Sequence, residues 1–236
     1  MKKLFFLLAV MLVVPALAFA IPLFTGSLST PSEVVASGNW DASGGGFKIS
    51  WTVSQITAAD WYYQYTLSNA AGGALPKDPS HLIIEISGNT TDVDFWGSNG
   101  SFEINTYSSA DPSNPGMPGA MYGTKMEGAQ NSSSGLFEYF FHSDRAPTWG
   151  DFYCKDGKTS TTPHIDVTAW NTDFLAADPT DPAQSGLLQD ASGRYIYKLL
   201  RPDTATRTSL ASAAAASKIL RIIALPPSSR GCALPA

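Results

Sequence analysis

The chain has 236 residues, with 15 Lys and Arg against 20 Asp and Glu, three His and two Cys; 44% of it is hydrophobic and 15% charged. That balance excludes a disordered acidic tail. The acidic excess argues against nucleic acid as a partner, because it repels phosphate backbones. Cys154 and Cys232 cannot build a disulfide framework, and no Cys/His spacing fits zinc. One bridge between them is open; two free thiols is the simpler reading.

From the N terminus, Lys2 and Lys3, the apolar stretch Leu4 to Val14, and Ala18-Phe19-Ala20 form a secretory leader over residues 1–20. The small side chains of Ala18 and Ala20 suit the signal peptidase, which would cut before Ile21. The apolar stretch is shorter than the roughly 20 residues needed to span a bilayer. Charge then divides unevenly: residues 21–203 hold nine basic and all 20 acidic side chains, whereas residues 204–236 hold four basic and no acidic ones.

Strand signals dominate residues 21–203. Phe47, Ile49, Trp51 and Val53 alternate with polar neighbours, as do Trp61, Tyr63, Tyr65 and Leu67, with Thr57 to Asp60 as the turn between them. Leu82-Ile83-Ile84 with Ile86 is a continuous apolar run, expected of a strand covered on both faces. Phe102, Ile104 and Thr106 alternate again. Phe137, Tyr139 and Phe141 form one face of a further strand, opposite Leu136, Glu138, Phe140 and His142. His164 to Thr168 and Tyr195 to Leu200 complete the set. Between them lie turn formers such as Gly44-Gly45-Gly46, Gly72-Gly73 and Asp111 to Pro118. The expectation is a mostly β fold: one antiparallel β-sandwich or jelly-roll-like domain over 21–203, then an atypical Ala-rich tail, irregular or helical, over 204–236.

No catalytic, cofactor-binding or metal-binding constellation emerges. His142-Ser143-Asp144-Arg145 with Asp151 is the strongest patch, but adjacent strand residues face opposite ways, so His142 and Ser143 should not meet. A strand end and turn, fixed by Asp144 and Arg145, is the expected structure there. Carboxylate pairs such as Asp92/Asp94 and Asp178/Asp181 read as solvated surface. The latter offers oxygen ligands for calcium but lacks the calcium-loop pattern, and His164/Asp166 reads as a surface pair. Asn89, Asn99 and Asn131 begin N-x-S/T triplets. Trp149, Tyr153 and Trp170 lie in Gly/Pro-flanked segments, where exposed rings could stack on sugars; Trp51, Trp61 and Tyr63 read as core.

Several stretches together resemble exported bacterial proteins of the PEP-CTERM class. They are Asn114-Pro-Gly-Met-Pro-Gly119 with Met121-Tyr-Gly123, Ser143-Asp-Arg-Ala-Pro-Thr-Trp-Gly-Asp-Phe-Tyr153 with Lys155-Asp-Gly157, His164-Ile-Asp-Val-Thr-Ala-Trp-Asn171, and Ser80-His-Leu-Ile-Ile-Glu-Ile86. The resemblance covers most of residues 35–203. Cys154 departs from the pattern, where a small residue such as Ala is expected. The resemblance implies a secreted β-rich protein sorted by an exosortase, associated with biofilm and extracellular polysaccharide. Its sorting signal, Pro-Glu-Pro followed by an apolar span and basic residues, is not present as written. Permitted codons for Thr206 to Ala216, read one base forward, encode Pro-Glu-Pro-Ala-Ser followed by five leucines. A frame shift near Thr204 therefore accounts for the tail, the alternative being a genuine Ala-rich helix over Ser209 to Leu225.

These observations predict an exported, non-enzymatic surface or matrix protein with no cofactor, located outside the cell, at its surface or in the periplasm. The alternative is a carbohydrate-binding β-sandwich or, further off, a glycoside hydrolase, which would need two facing carboxylates.

Overall fold

Sixteen strands and three single 3-10 turns make up the computed structural model, which describes residues 23–128, 130–131 and 135–206. In chain order the first eight strands are β1 Leu23–Ser29, β2 Val34–Ala36, β3 Lys48–Thr57, β4 Asp60–Ser68, β5 His81–Glu85, β6 Phe95–Trp96, β7 Ser101–Tyr107 and β8 Met121–Glu127. Then follow β9 Gln130–Asn131, β10 Phe137–Ser143, β11 Arg145–Gly150, β12 Phe152–Lys158, β13 Asp166–Asn171, β14 Leu188–Gln189, β15 Tyr195–Ile196 and β16 Leu199–Thr206. The leader with Ala18 and Ala20, Cys232, and the tail beyond residue 206 lie outside the described residues. Among those described, no helix is long and apolar enough to cross a membrane.

The strands form an antiparallel sandwich. One sheet runs β1-β3-β4-β10-β6, with β9 also on β10; the other runs β2-β13-β12-β5-β8-β7. A ribbon of β11 and β16 and a small β14–β15 hairpin complete it. The alternation read at residues 47–53 and 61–67 is the inner face of β3 and β4, paired Trp51 to Tyr65 and Val53 to Tyr63. Phe137, Tyr139 and Phe141 extend that face from β10. Leu82, Ile84, Phe152, Cys154, Val167 and Ala169 come down from the opposing sheet, and Trp149, Leu199 and Leu200 come in from the ribbon, all into one core. Trp51, Trp61 and Tyr63 lie in this core as expected.

The second sheet is also covered outside, as the continuous run at 82–84 predicts. Ile83 points away from the main core and joins Tyr107, Met117, Met121, Tyr153 and Phe174 in a second cluster. The loop before β8 supplies Met117 and the loop after β13 supplies Phe174. The free Cys154 is fully buried. At that position it acts as a small apolar side chain, the role an alanine would fill. The boundary expected at Thr204 falls inside β16, which pairs as far as Thr206 with Arg145.

Candidate functional site

The three aromatic residues expected to stack on sugars do not form a loop platform. Trp149 sits in β11 and Tyr153 in β12, and both are 0% exposed. Trp149 is in the main core. The Tyr153 hydroxyl donates to the Pro115 carbonyl at 2.7 Å, which closes the 108–118 loop over its ring. Trp170, in β13, stacks on Tyr153 at 6.4 Å and is half-buried. A ring with no exposed face cannot meet a sugar, so the assignment is corrected for Trp149 and Tyr153.

The segment Ser143–Gly157 begins with the strand end and bend that were expected, and continues as strands. It is the end of β10, a bend at Asp144, then β11 and β12. Ser143 points into the core while His142 faces out, so the two do not meet, as strand geometry predicts. His142 Nδ1 lies 2.8 Å from Asp60 instead. Arg145 is buried and fixes the bend from a distance: its Nη2 donates to Asp94 at 3.0 Å and to the Asn89 carbonyl at 2.9 Å. Asp94 is therefore a buried partner and not solvated surface. Asn99 is also engaged internally, through Phe140 and Glu138. His164 is exposed and bonds Thr159, while Asp166 faces Lys158 at 3.9 Å; both are surface groups as read.

The charged residues that do converge come from far apart in the chain. Glu85 ends β5, Asp151 joins β11 to β12, Asp178 lies in the loop after β13, Lys198 precedes β16 and Arg201 is within it. One carboxylate oxygen each from Glu85, Asp151 and Asp178 lies within 4.8 Å of the others. Lys198, 0% exposed, places Nζ 2.7 Å from Asp151 Oδ1 and 3.0 Å from Asp178 Oδ1. The Arg201 guanidinium donates to Asp178 at 2.9 Å and to Ser87 at 2.9 Å, and lies 3.4 Å from Glu85. Two cations thus stand among three carboxylates.

Asn171, at the end of β13, fixes the cluster. Its Oδ1 accepts from the Phe152 N–H, and its Nδ2 donates to Asp151 Oδ1 at 2.6 Å and to the Tyr197 carbonyl. Asp151 N–H donates to Glu85 Oε2 at 2.9 Å. Burial, outweighing the nearby cations, pushes the Glu85 carboxyl up to about 7 and the Asp151 carboxyl up to about 6. Gly150 makes the packing possible, because a Cβ there would run into the Arg201 side chain and Glu85 Oε2.

A second feature lies on the outer face of the first sheet. His142 in β10 is paired with Tyr62 in β4 on one side and with Trp96 in β6 on the other. The imidazole stacks on Trp96 at 6.0 Å, and Tyr62 lies 5.1 Å from His142 and 5.8 Å from Phe140. Trp96 is 42% exposed. Sequence reading missed Trp96, Glu85, Lys198 and Arg201. A lysine inside the apolar run Tyr195 to Leu200 was the one available signal, since a charge in such a run needs a buried partner.

No family model, curated protein or solved structure matched the chain.

Proposed function

We propose that this is an exported, non-enzymatic surface or extracellular-matrix protein of the exosortase-sorted class, directed outward by the leader over residues 1–20. The observation that carries the reading is the placement of the run Ser143 to Tyr153. Ser143, Arg145, Trp149, Asp151, Phe152 and Tyr153 are all buried, and their polar members pair within the fold. The stretch most similar to that class is therefore spent on packing and pairing inside the sandwich. The test is fractionation of a bacterial host that carries the full chain, with and without residues 1–20. The full chain is expected in the periplasm or medium and the shortened one in the cytosol. Full-length protein held in the cytosol would contradict the reading.

A specific observation favours polysaccharide binding as a second role. Trp96, His142, Tyr62 and Phe140 form a strip of rings across three strands, with Asp60 beside it for hydroxyl groups. Flat aromatic faces next to polar groups suit pyranose rings. Trp96→Ala should abolish co-sedimentation with the host's extracellular polysaccharide and leave the β-rich circular dichroism intact. Unchanged co-sedimentation would remove this role.

A further inference from the structure

Lys198 and Asp151 are held in contact by rigid backbone on both sides. Asp151 is pinned between β11 and β12 by hydrogen bonds with Glu85, and Lys198 by the start of β16. The ammonium also donates to the Ala176 carbonyl at 2.7 Å, which leaves it little freedom to turn away. Its Nζ lies 2.7 Å from Asp151 Oδ1, so Cγ is one bond further along. Asn171 Nδ2, 2.6 Å from that oxygen, is already in place to stabilise negative charge on it. A carboxyl group, Glu85, stands beside the pair without being bonded to Lys198.

We propose that Lys198 and Asp151 condense into an intramolecular amide between Nζ and Cγ, with Glu85 relaying the protons. One ammonium proton first passes through Glu85 to Oδ2 of Asp151, which gives an amine and a neutral acid, and burial favours that neutral acid. The Nζ lone pair attacks Cγ, and the carbonyl π pair moves onto Oδ1, held by Asn171. The carbonyl then re-forms and the Cγ–Oδ2 bond breaks. Oδ2 leaves as water with its own hydrogen and a second one taken from Nζ through Glu85. One amine and one acid become one amide and one water, with no oxidant or cofactor. The upward displacement of the Asp151 and Glu85 carboxyls, to about 6 and about 7, keeps a minor fraction of Asp151 protonated near neutral pH and lets Glu85 both give and take a proton there. Holding the partners in this geometry removes the entropic cost of bringing amine and acid together.

Asp151 is the acyl partner and Asp178 is not. Asp178 is more exposed, and its other oxygen is taken by Arg201 at 2.9 Å. The bond would link positions 47 residues apart and fasten β16 to the body. The reaction consumes its own side chains once, so it is a maturation step and no enzymatic activity. It depends on the fold alone and not on export.

The test is mass spectrometry of the full chain after purification and denaturation. The expected mass is one water below that of the sequence from the observed N terminus, with a branched peptide joining Lys198 to Asp151. Glu85→Gln should fold to the same circular dichroism and give the unlinked mass; Lys198→Arg should also be unlinked. Folded wild-type protein at full mass without the branched peptide would overturn the proposal whatever the variants do. A branch at Asp178 would overturn the choice of partner, and full linkage in Glu85→Gln would overturn the role of Glu85.

Discussion

Gly150 shows how one residue governs the charged cluster. Its missing side chain is the space through which Arg201 reaches Glu85 and Asp178. Gly150→Ala should lower stability by about 1–3 kcal/mol, the usual cost of overpacking a filled interior. Urea titration checks this, and an unchanged midpoint would show that Arg201 can move aside freely. His81 is a second residue with a measurable consequence. Burial foremost, then Lys155 and Lys125, lowers its imidazole from 6.5 to about 4. Between those values the unfolded chain binds a proton that the folded one refuses, so the His81 contribution to stability is present above pH 6.5 and is lost as pH falls toward 4. Glu85 acts in the opposite sense: raised from 4.5 to about 7, it takes a proton in the folded state and costs stability as pH rises through that interval. The comparison of wild type with His81→Gln isolates the histidine. The variant should lose less stability than wild type on going from pH 6.5 to 4, and parallel curves would contradict the assignment.

At the scale of strands, legibility followed alternation. β3, β4 and β10 were readable because they bury alternate residues, β7 because Phe102 and Ile104 are half-buried between exposed neighbours, and β5 because its apolar run has cover on both sides. β11 was not readable. It carries Arg145, Pro147 and Gly150, which look like turn chemistry, yet Pro147 is tolerated because the ribbon with β16 has only two strands, with a register shift beside it. β8 was hidden by Gly123, whose missing Cβ gives room to Ile83 and to the Ile84 carbonyl. The charged cluster was invisible for a different reason. Its members stand at 85, 151, 178, 198 and 201, and only the crossing of β5, β12, β13 and β16 brings them together. The same topology predicts an order of backbone opening. Amides of β5, between β12 and β8, should exchange with solvent more slowly than those of β7, which forms one edge of its sheet. Hydrogen-exchange mass spectrometry can rank them, and faster exchange in β5 than in β7 would contradict the sheet order.

For the whole molecule, two observations bear on one account. The body is a two-sheet sandwich whose most distinctive sequence run is spent on internal packing and ion pairing, and the chain is headed by a basic, apolar, small-residue pattern that suits export. The loop aromatics Trp149 and Tyr153 looked accessible because glycine and proline flank them, yet the fold uses those flanks to start and turn buried strands. Trp96, by contrast, is 42% exposed beside the half-buried His142. The central proposal is that the leader over residues 1–20 takes the chain out of the cytoplasm and is then removed. N-terminal sequencing of the protein recovered from the periplasm or medium of a bacterial host tests it most directly. The account predicts a first residue of Ile21, directly after the Ala18-Phe19-Ala20 site; a chain that retains Met1 in every fraction would contradict it.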